Sequence, residues 1–444
     1  MIRQFVSGSK KWMTWFAIAA MLASGFLAVF SQWIIAVIEQ SGYPAWFSLA
    51  FLTGCILLVG VGFTAYEVLV WLCFSLIGFV RIEPAPFDYL LLVVMAIGWA
   101  RGKLELFNVR QNVLVLSGLW IFILANLVSM VGVAAQPASW RFMLITFYLL
   151  VLFLFVRLYG HDEKAIHILL AGYLVSATVN AVLVILGLLG LGFASSMVGW
   201  SIRGVGFFKD PNVFGAYMAS AAMIAMDRIV HSKGRWYRIV GYGVLTFLLG
   251  FTAVYSLSRA VWVSLVLSIG VYAWMLAKEA PRSAVIVLSV LLALAITAVF
   301  FLQSSQMAAF VSAHMRLQDY DMARFGNQYQ GLIAGLTQPL GVGPAGWPNA
   351  HSLYVKTLAE HGLLGLVSLG MVIVGSIWPL IRRVAVMDGS RRALSAQVLL
   401  AILIGQLVNS VVIDSIHWRH LWVLLGIAWA FSDGPVTKQG EENG

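Results

Sequence analysis

Apolar runs long enough to cross a lipid bilayer recur along almost the whole of this 444-residue chain, and that recurrence limits its fold more than any single motif does. Crossing the hydrocarbon as a helix takes about 17–25 residues. None of the runs alternates with the two-residue period of a barrel strand. Backbone polar groups placed in lipid can then be satisfied only inside helices. With 61% of residues hydrophobic and only 10% charged, the expected fold class is all-α, a polytopic integral membrane protein. The 17 Trp and 14 Tyr suit a chain with many bilayer interfaces, where amphipathic rings favour the headgroup level, and do not by themselves mark a ligand site.

Spans are expected at 13–38, 47–63, 66–81, 88–100, 112–133, 142–157, 165–193, 213–230, 239–257, 260–277, 283–302, 353–380, 393–412 and 418–432. The stretch 47–81 carries Glu67 and little else polar, and reads as two short spans or as one span with a re-entrant piece. The expected number is therefore 12–14. This divides the chain into a transmembrane bundle over 1–302, a large loop or lid with short helices over 303–352, C-terminal transmembrane helices over 353–434 and a tail over 435–444. The first apolar run begins near Trp12 and lacks a small-residue cleavage site, so it reads as the first span.

Loop charges orient the bundle. With the N-terminus inside, 19 of the 28 basic residues fall on one face, among them Lys10, Arg101, Lys103, Arg228, Arg238, Lys278 and Arg383, which makes that face and both termini cytoplasmic. The other nine are Arg81, Arg141, Arg203, Lys209, Arg259, Arg316, Arg324, Lys356 and Arg419, all at the outer face. The net charge of +10 is scattered in short clusters and forms no continuous stripe, which argues against a nucleic-acid partner. Cys55 and Cys73 both sit inside apolar runs and read as packing residues, not as a disulfide or a thiolate metal site.

Segments at the outer face look built for an anion. In Ser201 to Asn212 a short glycine-containing loop enters a helix at Val213, with Asp210 or Asn212 available as its cap and Arg203 and Lys209 beside it. Unpaired N–H groups and the positive dipole end of a helix start favour phosphate. The break Ser256-Leu257-Ser258-Arg259 puts a second guanidinium at the outer boundary, where its planar fork suits a diphosphate. Taken singly, an arginine at a span boundary is an ordinary snorkelling anchor. The long loop 303–352 has helical character over Asp321 to Leu336, then a turn-rich run, Thr337 to Pro348, and ends at His351 where the next span begins. A histidine there can accept a proton near neutral pH. His161, His167, His231, His314, His361, His417 and His420 read as ordinary solvated or hydrogen-bonded surface residues. The outer acids show no paired spacing suited to a metal ion, and no cofactor is expected.

These residues resemble the O-antigen ligase and polymerase superfamily of bacterial envelope glycosyltransferases. The ligase pattern is matched by His351, Ser352, Gly362 and Gly365, and the run before it by Gln338 to Pro344. The family's arginine-led segment is matched from Arg203 to Asn212 and its Ser-Arg turn by Ser258-Arg259, so the resemblance covers roughly 200–380. It implies a GT-C-like fold with one large periplasmic loop, in the bacterial inner membrane, with the active site at the periplasmic face. The implied donor is a glycan on undecaprenyl diphosphate. A ligase would pass it to lipid A core, and a polymerase to a growing polysaccharide. Arg324 and Gly335 meet the Arg, ten residues, Gly spacing of polymerases.

The resemblance implies catalytic roles for His351, Arg203 and Arg259, with Lys209, Asp210, Asn212, Arg324, Tyr354 and Glu360 binding diphosphate or glycan. The arginines would stabilise the leaving diphosphate, and His351 would take the acceptor proton, so that direct displacement inverts the anomeric centre without a metal. Glu360, Asp210 or Asp319 stands as an alternative base, with His351 then a phosphate ligand. A transporter of lipid-linked glycan is the competing class, though no inverted-repeat halves are visible and the candidate residues gather on one face. A silent scaffold is a further alternative.

Overall fold

The computed structural model describes residues 60, 62–104, 112–199, 202–232, 235–302, 319–385 and 394–431. Within them the chain is almost wholly helical, with one isolated bridge, Val198 to Gly204, and no strand. The helices are α1 (Tyr66–Ser75), α2 (Pro86–Ala100), α3 (Val113–Ser129), α4 (Pro137–Tyr159), α5 (Glu163–Leu188), α6 (Pro211–Val230), α7 (Trp236–Tyr255), α8 (Arg259–Glu279), α9 (Pro281–Leu302), α10 (Asp319–Thr337), α11 (Leu353–Ala385), α12 (Ala396–Asn409) and α13 (Arg419–Ala430). Pro86, Pro137 and Pro211 open their helices at the first turn, where the missing N–H costs nothing.

By length and composition seven of these helices can cross a membrane: α3 with its extension to Gly132, α4, α5, α6, α7, α8 and α11. The chain is a multi-pass membrane protein. Each expected span from 66–81 onward coincides with a helix. The span at 13–38, nearly all of 47–63 and the tail at 435–444 lie outside the described residues, as do Cys55, His314 and Arg316. The first of the matched helices is shorter than expected. It ends at Ser75 because the chain turns at Gly78, whose N–H donates to Ser176 Oγ at 2.9 Å.

At the centre stands α6, with 83% of its span buried, against 28% for the lipid-facing α7. Its small residues Gly215, Ala216, Ala219, Ser220, Ala221 and Ala222 let neighbours approach closely. The polar groups among them are satisfied inside the protein. Gln406 Nε2 on α12 donates to Ala216 O at 2.9 Å and Ser220 Oγ at 2.8 Å.

The expected span 353–380 differs most from the structure, because α11 is two helical pieces joined at Gly362, with φ 66° and ψ −170°. Only glycine adopts that conformation readily. A nine-residue half-helix, Leu353 to His361, therefore stops short of the long piece that follows. Its last carbonyls are capped from outside: Val342 N donates to Ala359 O and Gly343 N to Glu360 O, both at 2.9 Å. The turn-rich run before His351 is thus the C-terminal cap of the half-helix after it.

Candidate functional site

The site assembles from four segments at one end of the bundle: the loop into α6, the α7–α8 turn, α10, and the chain from His351 into α11. The loop docks on the turn through the backbone, Gly204 N donating to Tyr255 O at 3.1 Å. Arg203 Nε donates to Ser256 O at 2.8 Å, and its Nη2 donates to Asn212 Oδ1 at 3.1 Å. Asp210 is the cap of α6, accepting from Asn212 N at 2.6 Å. The helix thus begins at Pro211, two residues before the expected Val213.

Arg259 opens α8, where the positive end of the helix dipole would repel it. Asp321 offsets that repulsion: Arg259 Nη2 lies 2.6 and 2.7 Å from its two carboxylate oxygens. Tyr320 is the hub of the cluster. Its hydroxyl lies 3.3 Å from Arg259 Nη2, the Arg324 guanidinium stacks 5.1 Å from its ring centroid, and Arg203 stands nearby. Among the described residues Arg203 Nη1, Arg259 Nε and Nη1, and the whole Arg324 guanidinium make no hydrogen bond. Three cations with unspent donors favour an anion, with Asp321 bound to one of them and Asp210 nearby.

The inward face of α10 supplies the rest. Asp321, Arg324, Gln328, Gly331 and Gly335 recur at helical spacing, and the first and last two are buried. Gln328 Nε2 donates to His351 O at 3.2 Å, and Gly335 rests on Leu358 of the half-helix. The Arg, ten residues, Gly spacing therefore puts one guanidinium over the site and one close contact three turns along the same face.

His351 itself stands at the start of the half-helix, just before Ser352, whose carbonyl accepts from Lys356 N at 2.9 Å and whose Oγ accepts from Val355 N at 3.4 Å. Burial and the nearby Arg324 hold its pKa below the ordinary imidazole value, while Asp414 and Asp210 pull the other way. The positive helix start also disfavours a protonated ring. A neutral imidazole has a lone pair available as a base.

Backbone strain marks the same three places. Ile202, Leu257 and His351 have φ of 59°, 51° and 45°, each at or within two residues of Arg203, Arg259 or His351 itself. For a β-branched residue such as Ile202 this is a true outlier, and such conformations concentrate where a site must be held rigid.

Of the expected ligands, Arg324 joins the cluster, whereas others have partners elsewhere in the protein. Lys209 Nζ pairs with Glu83 Oε1 at 2.9 Å. Burial works to raise Glu83, yet the Lys209 bond and the charges of Lys209, Arg141 and Arg419 hold it below the usual carboxylate range. Tyr354 donates to Leu407 O at 2.9 Å, inside the bundle. Glu360 is buried and accepts from Trp347 N at 3.2 Å, steadying the turn-rich run. His361 and His420 are buried and His417 is half-buried, so none of them is an exposed surface residue. Ser129 Oγ lies 2.9 Å from His361 Nδ1, and Thr146 Oγ1 lies 3.1 Å from His417 Nε2.

Sequence reasoning missed the roles of Tyr320, Asp321 and Gln328, although their spacing from Arg324 on one helix face was available. It also missed that Lys356 Nζ pairs with Asp414 Oδ2 at 2.7 Å, from the turn before α13, close enough for both charges to reach His351.

With this geometry in hand, residues 244–370 match a family model described as O-antigen ligase. The likeness covers 127 of the chain's 444 residues. The matched stretch contains Arg259, Asp321, Arg324, His351 and Glu360. Arg203 and Asp414 are brought to the same place from either side of that stretch. No curated protein matches the chain.

Proposed function

We propose that the chain is a membrane glycosyltransferase of the O-antigen ligase type, moving a glycan from undecaprenyl diphosphate to a sugar hydroxyl of lipid A core at the periplasmic face of the inner membrane. The observation that carries this reading is the set of three arginines with unspent donors around Tyr320, beside a histidine held neutral. A sugar leaving from a diphosphate develops negative charge on the leaving oxygen. Arg203, Arg259 and Arg324 would meet that charge with hydrogen bonds that strengthen toward the transition state. His351 would take the proton of the attacking hydroxyl, worth on the order of 10²–10⁴-fold. Attack opposite the diphosphate inverts the anomeric carbon.

The polymerase reading uses the same donor site and differs in the acceptor, and the spacing of Arg324 and Gly335 is the feature that favours it. Purified protein is offered a polyprenyl-diphosphate glycan with lipid A core or a second donor glycan as acceptor, alongside His351→Ala. Product on lipid A core supports the ligase, and elongated donor supports the polymerase. Movement of the carrier lipid across a reconstituted bilayer without either product would replace both with transport.

A further inference from the structure

The helix α10 has three faces, and only the one turned inward, from Asp321 to Gly335, belongs to the site. Successive residues of an α-helix step by about 100° around its axis. On that wheel the outward half is itself divided. Met322, Phe325, Tyr329, Leu332, Ile333 and Leu336 fall within about 100° of one another and form an apolar stripe, 39–74% exposed. Asp319, Gly326, Gln330 and Thr337 fall in a separate sector of about 40° beside it, also exposed. A helix in water turns its apolar side chains to protein. One lying in a membrane interface turns one flank to acyl chains and the other to water.

The places where α10 is fastened set its depth. Near its start, Asp321 binds Arg259, the first residue of the membrane-crossing α8, at 2.6 Å. Near its end, Gly335 rests on Leu358, in the second turn of the membrane-crossing α11. These two ties are about 21 Å apart along the helix, and both are at the level where a span begins. The axis of α10 therefore runs along the membrane surface. Both spans turn apolar side chains to lipid just past the ties: Val263 on α8, and Leu363 and Leu364 on α11, are 43–58% exposed. The apolar stripe of α10 stands beside an existing lipid-facing surface, and Tyr329 within it carries the amphipathic ring that favours the headgroup level.

We propose that α10 lies in the headgroup region of the leaflet at this end of the bundle, its apolar stripe set ~5–10 Å into the acyl boundary and its Gln330 flank in water. Arg324 and Gln328 sit on the inward face of the same helix, so this seat fixes the height of the arginine cluster relative to the head groups. The proposal is independent of the reaction that the site performs. The test uses full-length Cys55→Ala protein in phosphatidylcholine nanodiscs, where the buried Cys73 does not label. Leu332→Cys, Leu336→Cys, Gln330→Cys and Thr337→Cys each carry an environment-sensitive fluorophore. Quenching is read with a nitroxide on the lipid acyl chain and with iodide in the water. The nitroxide lipid should quench the Leu332→Cys and Leu336→Cys labels at least about threefold more than the other two, and iodide should reverse the order. One folded variant from each pair is enough. Iodide reaching all four labels alike would put α10 in water and overturn the proposal. Nitroxide quenching both flanks equally would overturn the interfacial orientation. Labels at Leu332 and Leu336 shielded from both quenchers would show that protein, such as a second copy of the chain, covers the stripe in place of lipid, and would also overturn it.

Discussion

Replacing Gly335 with alanine tests whether the packing of α10, and not only its charges, sets the rate. A methyl group there would stand 2.5 Å from Leu358 Cγ, and 2.7 and 2.9 Å from the Leu358 carbonyl oxygen and carbon. The side chain can turn aside. The carbonyl cannot, because it belongs to a half-helix whose end is fixed by Val342 and Gly343. Ordinary contact begins at 3.4 Å, so α10 must retreat by about 0.7 Å, taking Asp321, Arg324 and Gln328 with it. A misplacement of 1 Å costs on the order of 10²-fold. The expected loss in kcat is therefore roughly ten- to thirtyfold, about 1.4–2 kcal/mol. Gly326 on the exposed side of the same helix has nothing within 4 Å, and Gly326→Ala should keep full activity while gaining up to about 1 kcal/mol of helix stability. Initial rates of glycan transfer and thermal unfolding, measured in the same detergent, decide the matter. A folded Gly335→Ala protein within twofold of the parent rate, or an equal loss in Gly326→Ala, refutes the reasoning.

Since the His351 pKa lies below the ordinary imidazole value, a base at that position is already neutral at pH 7, and the rate should fall only on the acid side of about 6.5. Arg324→Gln removes a nearby cation, so the pKa rises and the acid limb of kcat/KM should move to higher pH; a lower rate with an unmoved limb would show that Arg324 does not act through His351. Arg259→Ala and Asp321→Asn break one ion pair, and the double variant should lose no more transfer rate than the worse single one, with a coupling of about 1–3 kcal/mol. Full additivity in the cycle would separate the two residues. Gly362→Ala places a side chain in glycine-only backbone space, against the carbonyl of Pro339, and should lower stability by at least about 1–3 kcal/mol in denaturant unfolding.

The bundle was legible because span length is a local property. Nine cations were set apart by loop charge, which is local too. Eight of them fall in described residues, and Arg203, Arg259, Arg324 and Lys356 gather near His351. Their partners were not legible. Asp321 lies 62 residues from Arg259, and Asp414 lies 58 from Lys356, so only tertiary packing brings them together. Lys209 shows the converse. Its place beside Arg203 in sequence suggests a shared anion, yet the tight turn at Gly206, with φ 54°, comes between them and Lys209 pairs with Glu83 on another wall. His361 and His417 were misread because one histidine in an apolar run carries no sign of whether Ser129 or Thr146 waits across the helix interface.

The spacing from His351 to Gly362 has a mechanical reading that joins these observations. Ser352 caps the half-helix, Gly362 ends it, and the nine residues between fix its rise at about 13 Å. His351 is thereby tied at fixed height and angle to a helix end that the turn-rich run holds through two backbone hydrogen bonds. The same run leads directly into His351, so one short closed circuit of chain contains both the histidine and the support that positions it. Along the other side of the circuit, α10 bonds His351 through Gln328 and rests on the half-helix at Gly335. One added residue in the half-helix would turn His351 by about 100° relative to Gly362. The glycines around the loop serve the histidine by allowing backbones to meet where side chains would hold them apart, and the chemistry of the site is set as much by that close contact as by its charges.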